Sequence, residues 1–294
     1  MTIVISKDIR SNYDGYSFII NLINQYSQLQ NTIITFDFKD IKFLEANLCA
    51  VIGVFFEILE KNGNKIVVEN FTTNVSTILR KNGFLEPFGF DKLIDNYDTS
   101  LKYKKFTSTD DKGFNEYIQN ELLSKRDFPS HSPRLGKEIL KNIFEIYENA
   151  RTHGECDLIH TCGQFFPKSP NKPLHFTIVD KGINIKHNVS SFLKVDMEAA
   201  DTIEWAMKKG NTTKTGDTSG GLGLAVIFDF ITLNKGKIQV ISSNGFYEYY
   251  NGIVNKNTLN SVFEGTIINI SFNLNDINHY RLTVEVEDDF ENIF

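Results

Sequence analysis

The sequence predicts an α/β protein of two-layer type, in which helices pack on β-sheets in two successive regions. Over the first ninety residues, β-branched strands alternate with amphipathic helices. After residue 113 a strongly amphipathic helix is followed by further apolar strands and a glycine-rich segment. The 294 residues suffice for about two domains, and such a chain buries most of its surface without disulfides or metals.

The first ninety residues follow the order β-α-β-α-β-α. Apolar side chains recur every three or four residues in the helices, whereas the strands are runs of β-branched and aromatic residues. Asn-Gly pairs follow the second and third helices, as expected where a helix stops in a left-handed conformation. The predicted elements are strand 3–5, helix 16–29, strand 32–38, helix 48–59, strand 65–69 and helix 75–81.

Composition and charge exclude several classes of protein. With 31 basic and 37 acidic residues the net charge is −6, which argues against a nucleic-acid partner. No apolar run approaches the roughly 18 residues that cross a bilayer, and the first residues do not resemble a secretory signal. The three cysteines form neither a CxxC pair nor an even disulfide set. We therefore expect a cytoplasmic protein without a membrane partner.

A polar, weakly periodic stretch divides the chain. We predict a first domain at 1–98, a linker at 99–113, a second domain at 114–280 and an acidic tail at 281–294. The last eleven residues, VEVEDDFENIF, carry five acidic side chains and suit either a solvated tail or a docking segment.

The second domain opens with a predicted helix at 114–123, a proline-containing turn at 127–134 and a long helix at 135–154. On the long helix, Glu145 and Asn149 are four residues apart and project from one face. A carboxylate and an amide so placed can hold a water and a hydrated Mg²⁺ beside a phosphate chain. Two polar residues on an exposed helix face are the alternative.

A second segment of interest is the predicted strand 174–179, which ends in Asp180-Lys181-Gly182. An aspartate at the end of a strand is well placed to accept a hydrogen bond from an exocyclic amine. A simple turn is the alternative interpretation of Asp-x-Gly.

The third segment, KKGNTTKTGDTSGGLGLA at 208–225, runs into a predicted helix at 226–231. Its glycines Gly220, Gly221 and Gly223 would let backbone N–H groups at the helix start face phosphate oxygens. The preceding Gly/Thr/Lys stretch is typical of a mobile lid. The segment fits neither the Walker pattern nor a dinucleotide-binding fingerprint.

In this order, the three segments resemble the Bergerat-fold ATP site of the GHKL superfamily, which includes gyrase B subunits, histidine kinases and anti-sigma-factor kinases. The resemblance covers residues 114–275 and implies ATP and Mg²⁺ as ligands. It makes Glu145 the catalytic general base and Asn149 the Mg²⁺ ligand, and it assigns adenine recognition to Asp180 with Gly182 and, through water, to Thr266. It also implies phosphate contacts from Lys214 of the lid and from Ser219, Gly220, Gly221, Leu222 and Gly223.

Two positions depart from the family pattern. Asn184 replaces the usual second glycine after Asp180, and we expect the turn to survive because asparagine tolerates positive φ. Ser219 stands where many relatives have glycine. We expect ATP binding to be retained despite these two departures.

Within the superfamily, the sequence is most similar to the anti-sigma-factor kinases. Asn149-Ala150-Arg151-Thr152-His153-Gly154 resembles their N-A-x-x-H-G run, which implies a place for His153 near the phosphates; a helix-capping histidine is the alternative. A sensor histidine kinase needs an acceptor histidine on a long helix, but His131 lies between Pro129 and Pro133.

The first domain resembles STAS domains over residues 33–58. At the register of the serine on which such domains are phosphorylated by a GHKL kinase, this sequence has Glu45-Ala46-Asn47-Leu48, which contains no hydroxyl. We therefore expect a docking or regulatory surface that meets a protein partner, rather than a phosphate acceptor.

Three functions stay open at this point. The first is an ATP-hydrolysing regulatory switch coupled to the STAS-like domain. The second is a Ser/Thr protein kinase that acts on a separate STAS-like partner. The third is an interaction module that binds nucleotide without turnover. The resemblance also leaves a homodimer possible.

Overall fold

The protein is built on two β-sheets with helices packed against them, which confirms the predicted α/β class. The structure is a computed structural model that describes residues 1–208, 210, 211, 213 and 225–285. Within these residues, three parallel strands form a sheet in the order β1-β2-β3, and five antiparallel strands form a larger sheet in the order β4-β5-β6-β8-β7. None of the described helices is long and apolar enough to cross a membrane.

The strands are β1 (Thr2–Val4), β2 (Ile33–Asp37), β3 (Lys65–Glu69), β4 (Ser100–Thr107), β5 (Leu158–Phe165), β6 (Pro173–Asp180), β7 (Lys237–Tyr250) and β8 (Ile253–Asn273). The helices are α1 (Tyr13–Tyr26), α2 (Cys49–Lys61), α3 (Thr73–Lys81), α4 (Asp111–Tyr117), α5 (Pro133–Thr152), α6 (Ile185–Leu193), α7 (Ala199–Met207) and α8 (Ala225–Leu233).

The first six elements of the chain confirm the predicted β-α-β-α-β-α order. Asn12 begins α1, and its side-chain oxygen accepts a hydrogen bond from the N–H of Gly15 at 2.9 Å. Gly63 follows α2 with φ of +77°, the left-handed stop that the Asn-Gly pair predicts. Almost every side chain of α2 is buried, because this helix lies between the small sheet and the large one.

Residues 100–107, which the sequence places in a linker, form the edge strand β4 of the large sheet. β4 pairs antiparallel with β5 and buries Leu101 and Phe106. The pairing shifts register between Leu101 and Lys104, and this bulge hides the alternation of apolar and polar residues that a strand normally shows. The division of the chain into domains stays a prediction.

The N-terminal region, residues 1–98, covers one face of the five-stranded sheet. A single apolar cluster joins its helices and strands to Cys162, Val179, Ile241 and Phe263 of that sheet. A second cluster, on the opposite face, packs α5 and α8 against the same strands. We call these the back face and the front face of the large sheet.

Polar contacts supplement the apolar packing at the back face. The hydroxyl of Tyr103 lies 2.9 Å from Nδ1 of His160, whose Nε2 lies 2.6 Å from a carboxylate oxygen of Glu57 on α2. Burial lowers the pKa of His160, against the opposing effect of the Glu57 carboxylate, and the ring links the other two groups. Gly53 makes this approach possible, since a Cβ there would lie 2.2 Å from the Tyr103 hydroxyl.

Replacement of Gly53 by alanine should therefore destabilise the protein. The added methyl group must displace Tyr103 and His160, so we expect a loss of about 1–3 kcal/mol in the free energy of unfolding, measured by urea denaturation. Gly136→Ala is the control, because its Cβ would meet only the ring of His131. A Gly53→Ala protein as stable as the wild type would contradict the close approach of α2 to the sheet.

Candidate functional site

A cleft opens at the front face of the large sheet, where β6 ends. It encloses about 650 Å³ of empty space, counted with the solvent at its mouth. The surface of its wall is mostly apolar and includes the aliphatic side chains of Ile146, Ile183, Ile185, Val189 and Ile268. An apolar wall with a few convergent polar groups is typical of small-molecule sites. Four predicted site residues, Asn149, His153, Asp180 and Thr266, lie in this wall.

Helix α5 places the first two of these side chains. The helix begins at Ser132-Pro133, where the serine oxygen accepts a hydrogen bond from the N–H of Leu135 at 3.1 Å. Asn149 and His153 are one turn apart and both face the cleft. His153 is also the C-cap of the helix, which agrees with the capping interpretation, and its place near the phosphates stays a prediction. Glu145 is half-buried one turn before Asn149, about 6 Å along the axis.

Asp180 is the most unusual group in the cleft. Its side chain is only 8% exposed, and its Oδ1 accepts no hydrogen bond from any described residue. Burial raises the pKa of this carboxyl group from 3.8 to about 7, against the opposing effect of the backbone N–H groups of Gly182 and Thr266. A buried acceptor without a donor is costly, and here it borders the cleft, where a ligand can supply that donor.

Thr266 lies beside Asp180 because the two residues pair across β6 and β8. The Thr266 hydroxyl is 3.1 Å from the hydroxyl of Ser242 on β7, and Ser242 also donates to the carbonyl of Gly265 at 2.7 Å. Gly265 has φ of +129°, and a Cβ at this position would lie 2.1 Å from the carbonyl oxygen of Asp180. Only glycine fits here, which explains the Gly-Thr pair.

The turn after β6 is fastened to the end of α5. The N–H of Ile183 donates to the carbonyl of Gly154 at 2.8 Å, and the Asn188 amide donates to the carbonyl of His153 at 3.1 Å. A Cβ on Gly182 would lie 1.9 Å from the Gly154 oxygen. Gly182 thus acts by permitting this close approach, which fixes Asp180 relative to Asn149.

The expectation that Asn184 uses a positive φ is wrong. Its φ is −78°, and its side-chain oxygen accepts a hydrogen bond from the N–H of His187 at 2.9 Å as the N-cap of α6. Asparagine therefore suits this position as a helix cap rather than as a glycine substitute.

The sequence predictions missed Trp205 in the cleft wall and Asn142 on α5. The carbonyl of Trp205 accepts a hydrogen bond from the amide of Asn211, a residue of the predicted lid, at 2.8 Å. Asn142 on α5 accepts hydrogen bonds from the N–H groups of Val226 and Ile227, at 3.1 and 3.4 Å, and so holds the start of α8. Asn142 shares a helix face with Glu145 and Asn149, and that periodicity is the signal that could have identified it.

The predicted phosphate-binding residues lie outside the described part of the chain. They are Lys214, Ser219, Gly220, Gly221, Leu222 and Gly223. Of the predicted lid, Asn211 and Thr213 are described and line the cleft.

No protein-family profile and no curated protein matches the chain. Among solved structures, it is similar to the topoisomerase IV ATP-binding domain of Francisella tularensis, solved with a small-molecule inhibitor, at 13% identity over 64% of this chain and 47% of that chain, with a TM-score of 0.27. The B subunit of DNA gyrase from Myxococcus xanthus gives 9% identity over 54% and 42%, with a TM-score of 0.26. A blue-light-activated histidine kinase domain from Erythrobacter litoralis gives 12% over 89% and 95%, with a TM-score of 0.25.

The chain spans 47% and 42% of the first two of these structures, less than half of each. TM-scores this low carry no functional argument, so the case for a function rests on the cleft.

Asp180 should make stability depend on pH. Its pKa is about 7 in the folded protein against 3.8 for the free group, so the folded state retains a proton that the unfolded chain releases. The resulting stabilisation is complete below about pH 4 and is lost as the pH rises through about 7. Asp180→Asn removes the buried charge and should raise the melting temperature at pH 8 by about 3 °C or more, with little effect at pH 4.

Asp157→Asn serves as the control, since it removes an exposed carboxylate near the same strand. An Asp180→Asn protein that melts at the wild-type temperature at both pH values would contradict the burial penalty assigned to Asp180.

Proposed function

We propose that the cleft binds ATP, with the adenine ring between the aliphatic wall and Asp180. The observation that carries this proposal is the buried Oδ1 of Asp180, which has no donor among the described residues. An adenine amine supplies such a donor, and a bond to a charged acceptor contributes about 1.5–3 kcal/mol. The Thr266 hydroxyl is beside it and suits a water-mediated contact to the same base.

The residues present also fit a Mg²⁺ ion bound together with the phosphates. Asn149 provides an amide oxygen in the cleft wall, one helical turn from His153. No cluster of three or more His, Cys, Asp or Glu side chains suited to a metal occurs in the described residues. That arrangement suits Mg²⁺, which takes few protein ligands and keeps waters and substrate phosphates. When bound, the ion would neutralise charge on the phosphates.

Nucleotide binding should be visible through Trp205. It is the chain's single tryptophan and it lines the cleft, so ATP should change its fluorescence in a saturable way. Asp180→Asn, which leaves the cleft shape intact, should weaken ATP binding by roughly tenfold or more because the amine loses its charged acceptor.

Asp157→Asn should bind ATP like the wild type, and GTP should bind more weakly than ATP because guanine presents a carbonyl where adenine has its amine. Equal responses to ATP and GTP, or none to either, would argue against an adenine pocket.

We further propose that the bound ATP is hydrolysed, with Glu145 as general base. The oxygen of a water would bond to the γ-phosphorus, its proton would pass to Glu145, and the bond to the bridging β–γ oxygen would break to release ADP and inorganic phosphate. The place of Glu145 on the same helix as Asn149, one turn away, supports this role.

The fate of a labelled γ-phosphate distinguishes hydrolysis from the two alternative functions. We expect free phosphate from the wild-type protein and a loss of about 100-fold or more in Glu145→Gln, with ATP affinity preserved. Label on a co-expressed protein would select the kinase function, and tight binding without release would select a module that does not turn ATP over. The Glu138→Gln protein is the control, because this carboxylate lies two helical turns further from Asn149.

The same proposal extends to partners. Asn47, at the register of the STAS phosphate acceptor, is fully buried against the large sheet. A kinase activity would therefore act on a separate protein rather than on this position. A homodimer formed on ATP binding is part of the proposal, and the oligomeric state measured with and without ATP tests it.

A further inference from the structure

The back face of the large sheet carries a row of buried polar side chains across three neighbouring strands. Thr177 on β6 pairs with Asn269 on β8, and Asn269 pairs with Gln239 on β7. The Thr177 hydroxyl donates to Oδ1 of Asn269 at 2.9 Å, and the Asn269 amide donates to Oε1 of Gln239 at 2.9 Å. All three side chains are fully buried.

The N-terminal region forms hydrogen bonds with this row at two points. Nδ2 of Asn47 lies 2.8 Å from the hydroxyl of Ser11, 2.9 Å from that of Thr177 and 3.3 Å from Oδ1 of Asn269. The amide of Gln239 in turn donates to the carbonyl of Ser11 at 3.0 Å. The contacts close a ring that joins the segments before α1 and α2 to three strands of the sheet.

A second polar row crosses the same three strands on the front face. It consists of Asp180, Thr266 and Ser242, which are paired across β6, β8 and β7 in the same way. Each of these residues is three positions from its counterpart in the back row. Three residues correspond to about 10 Å along a strand and place the two rows on opposite faces.

We propose that the N-terminal region sets the affinity of the cleft for nucleotide through these two rows, with Asn47 as the positioning residue. Asn47 holds the β6–β8 pair from behind, and the same pair presents Asp180 and Thr266 to the cleft. Loss of the hydrogen bonds from Asn47 to this pair allows the ends of β6 and β8 to move relative to each other. By linkage, nucleotide binding tightens the contact of Asn47 with the sheet to the same extent.

The proposal rests on the proposed function for its ligand, but its first test needs no nucleotide. In Asn47→Ala, backbone amide hydrogens of residues 178–182 and 264–268 should exchange faster than in the wild type. The variant should fold, because the substitution also removes Oδ1 of Asn47, a buried acceptor without a described donor. Thr177→Val breaks the same contact from the sheet side with little change of shape, and it should give the same result.

Asn64→Ala is the matched control. Asn64 is a buried asparagine of the N-terminal region, but its amide donates to the carbonyls of Leu29 and Leu59, at 2.6 and 2.8 Å, within that same region. The loss of the Asn64 side chain should destabilise the N-terminal region without faster exchange of the backbone amide hydrogens of residues 178–182 and 264–268. Equal exchange at these strand ends in the Asn47 and Asn64 variants, compared at equal overall stability, would overturn the proposal.

The second test measures ATP affinity by equilibrium dialysis. We expect Asn47→Ala and Thr177→Val each to weaken binding by about fivefold or more, and the double variant to lose little beyond either one, because both remove the contact between Asn47 and Thr177. Unchanged affinity in both variants, in a wild-type protein that binds ATP, would overturn the inference alone. A wild-type protein that does not bind ATP would overturn the proposed function, and the exchange comparison would then decide the inference.

Discussion

The antiparallel pairing of β6 with β8 is the constraint on which the core and the cleft both depend. Side chains alternate between the faces of a strand, so this one register directs Phe176 and Ile178 to the front core, Thr177 and Val179 to the back, and Asp180 to the cleft. A shift of the β6 register by one residue would exchange the two faces and bury Asp180 against the N-terminal region. The helices add side chains to a site whose position this pair of strands has fixed.

Much of the fold could be predicted because its signals are local. Apolar residues recur at helical spacing in α5 and in the helices of the N-terminal region, and Asn-Gly pairs mark the ends of two of these helices. The sequence does not predict β4, because a bulge interrupts the alternation of apolar and polar residues. It does not predict β5 either, because His160 and Gln164 on the back face of this strand are polar yet buried. No local pattern reveals that another part of the chain covers a polar strand face.

The candidate site divides along the same line. Asn149, Asp180 and Thr266 could be proposed because each belongs to a recognisable segment, and the structure brings them to one cleft. Asn188 and Trp205 could not, since they reach the cleft only through the packing of α6 and α7. The need for glycine at position 182 likewise arises from the approach of the Gly154 carbonyl, a contact between distant segments that spacing in the sequence does not encode.

The unpartnered oxygen of Asp180 bears on how such chains evolve. A buried carboxylate oxygen without a donor lowers the stability of the protein, so a neutral side chain of similar size would be more stable at this position. The proposed ligand would supply that donor, while the glycines at positions 154, 182 and 265 permit the close contacts that hold the carboxylate in place. Among diverged relatives, loss of the acid with the glycines intact would mark a lineage that has kept the scaffold and abandoned the ligand.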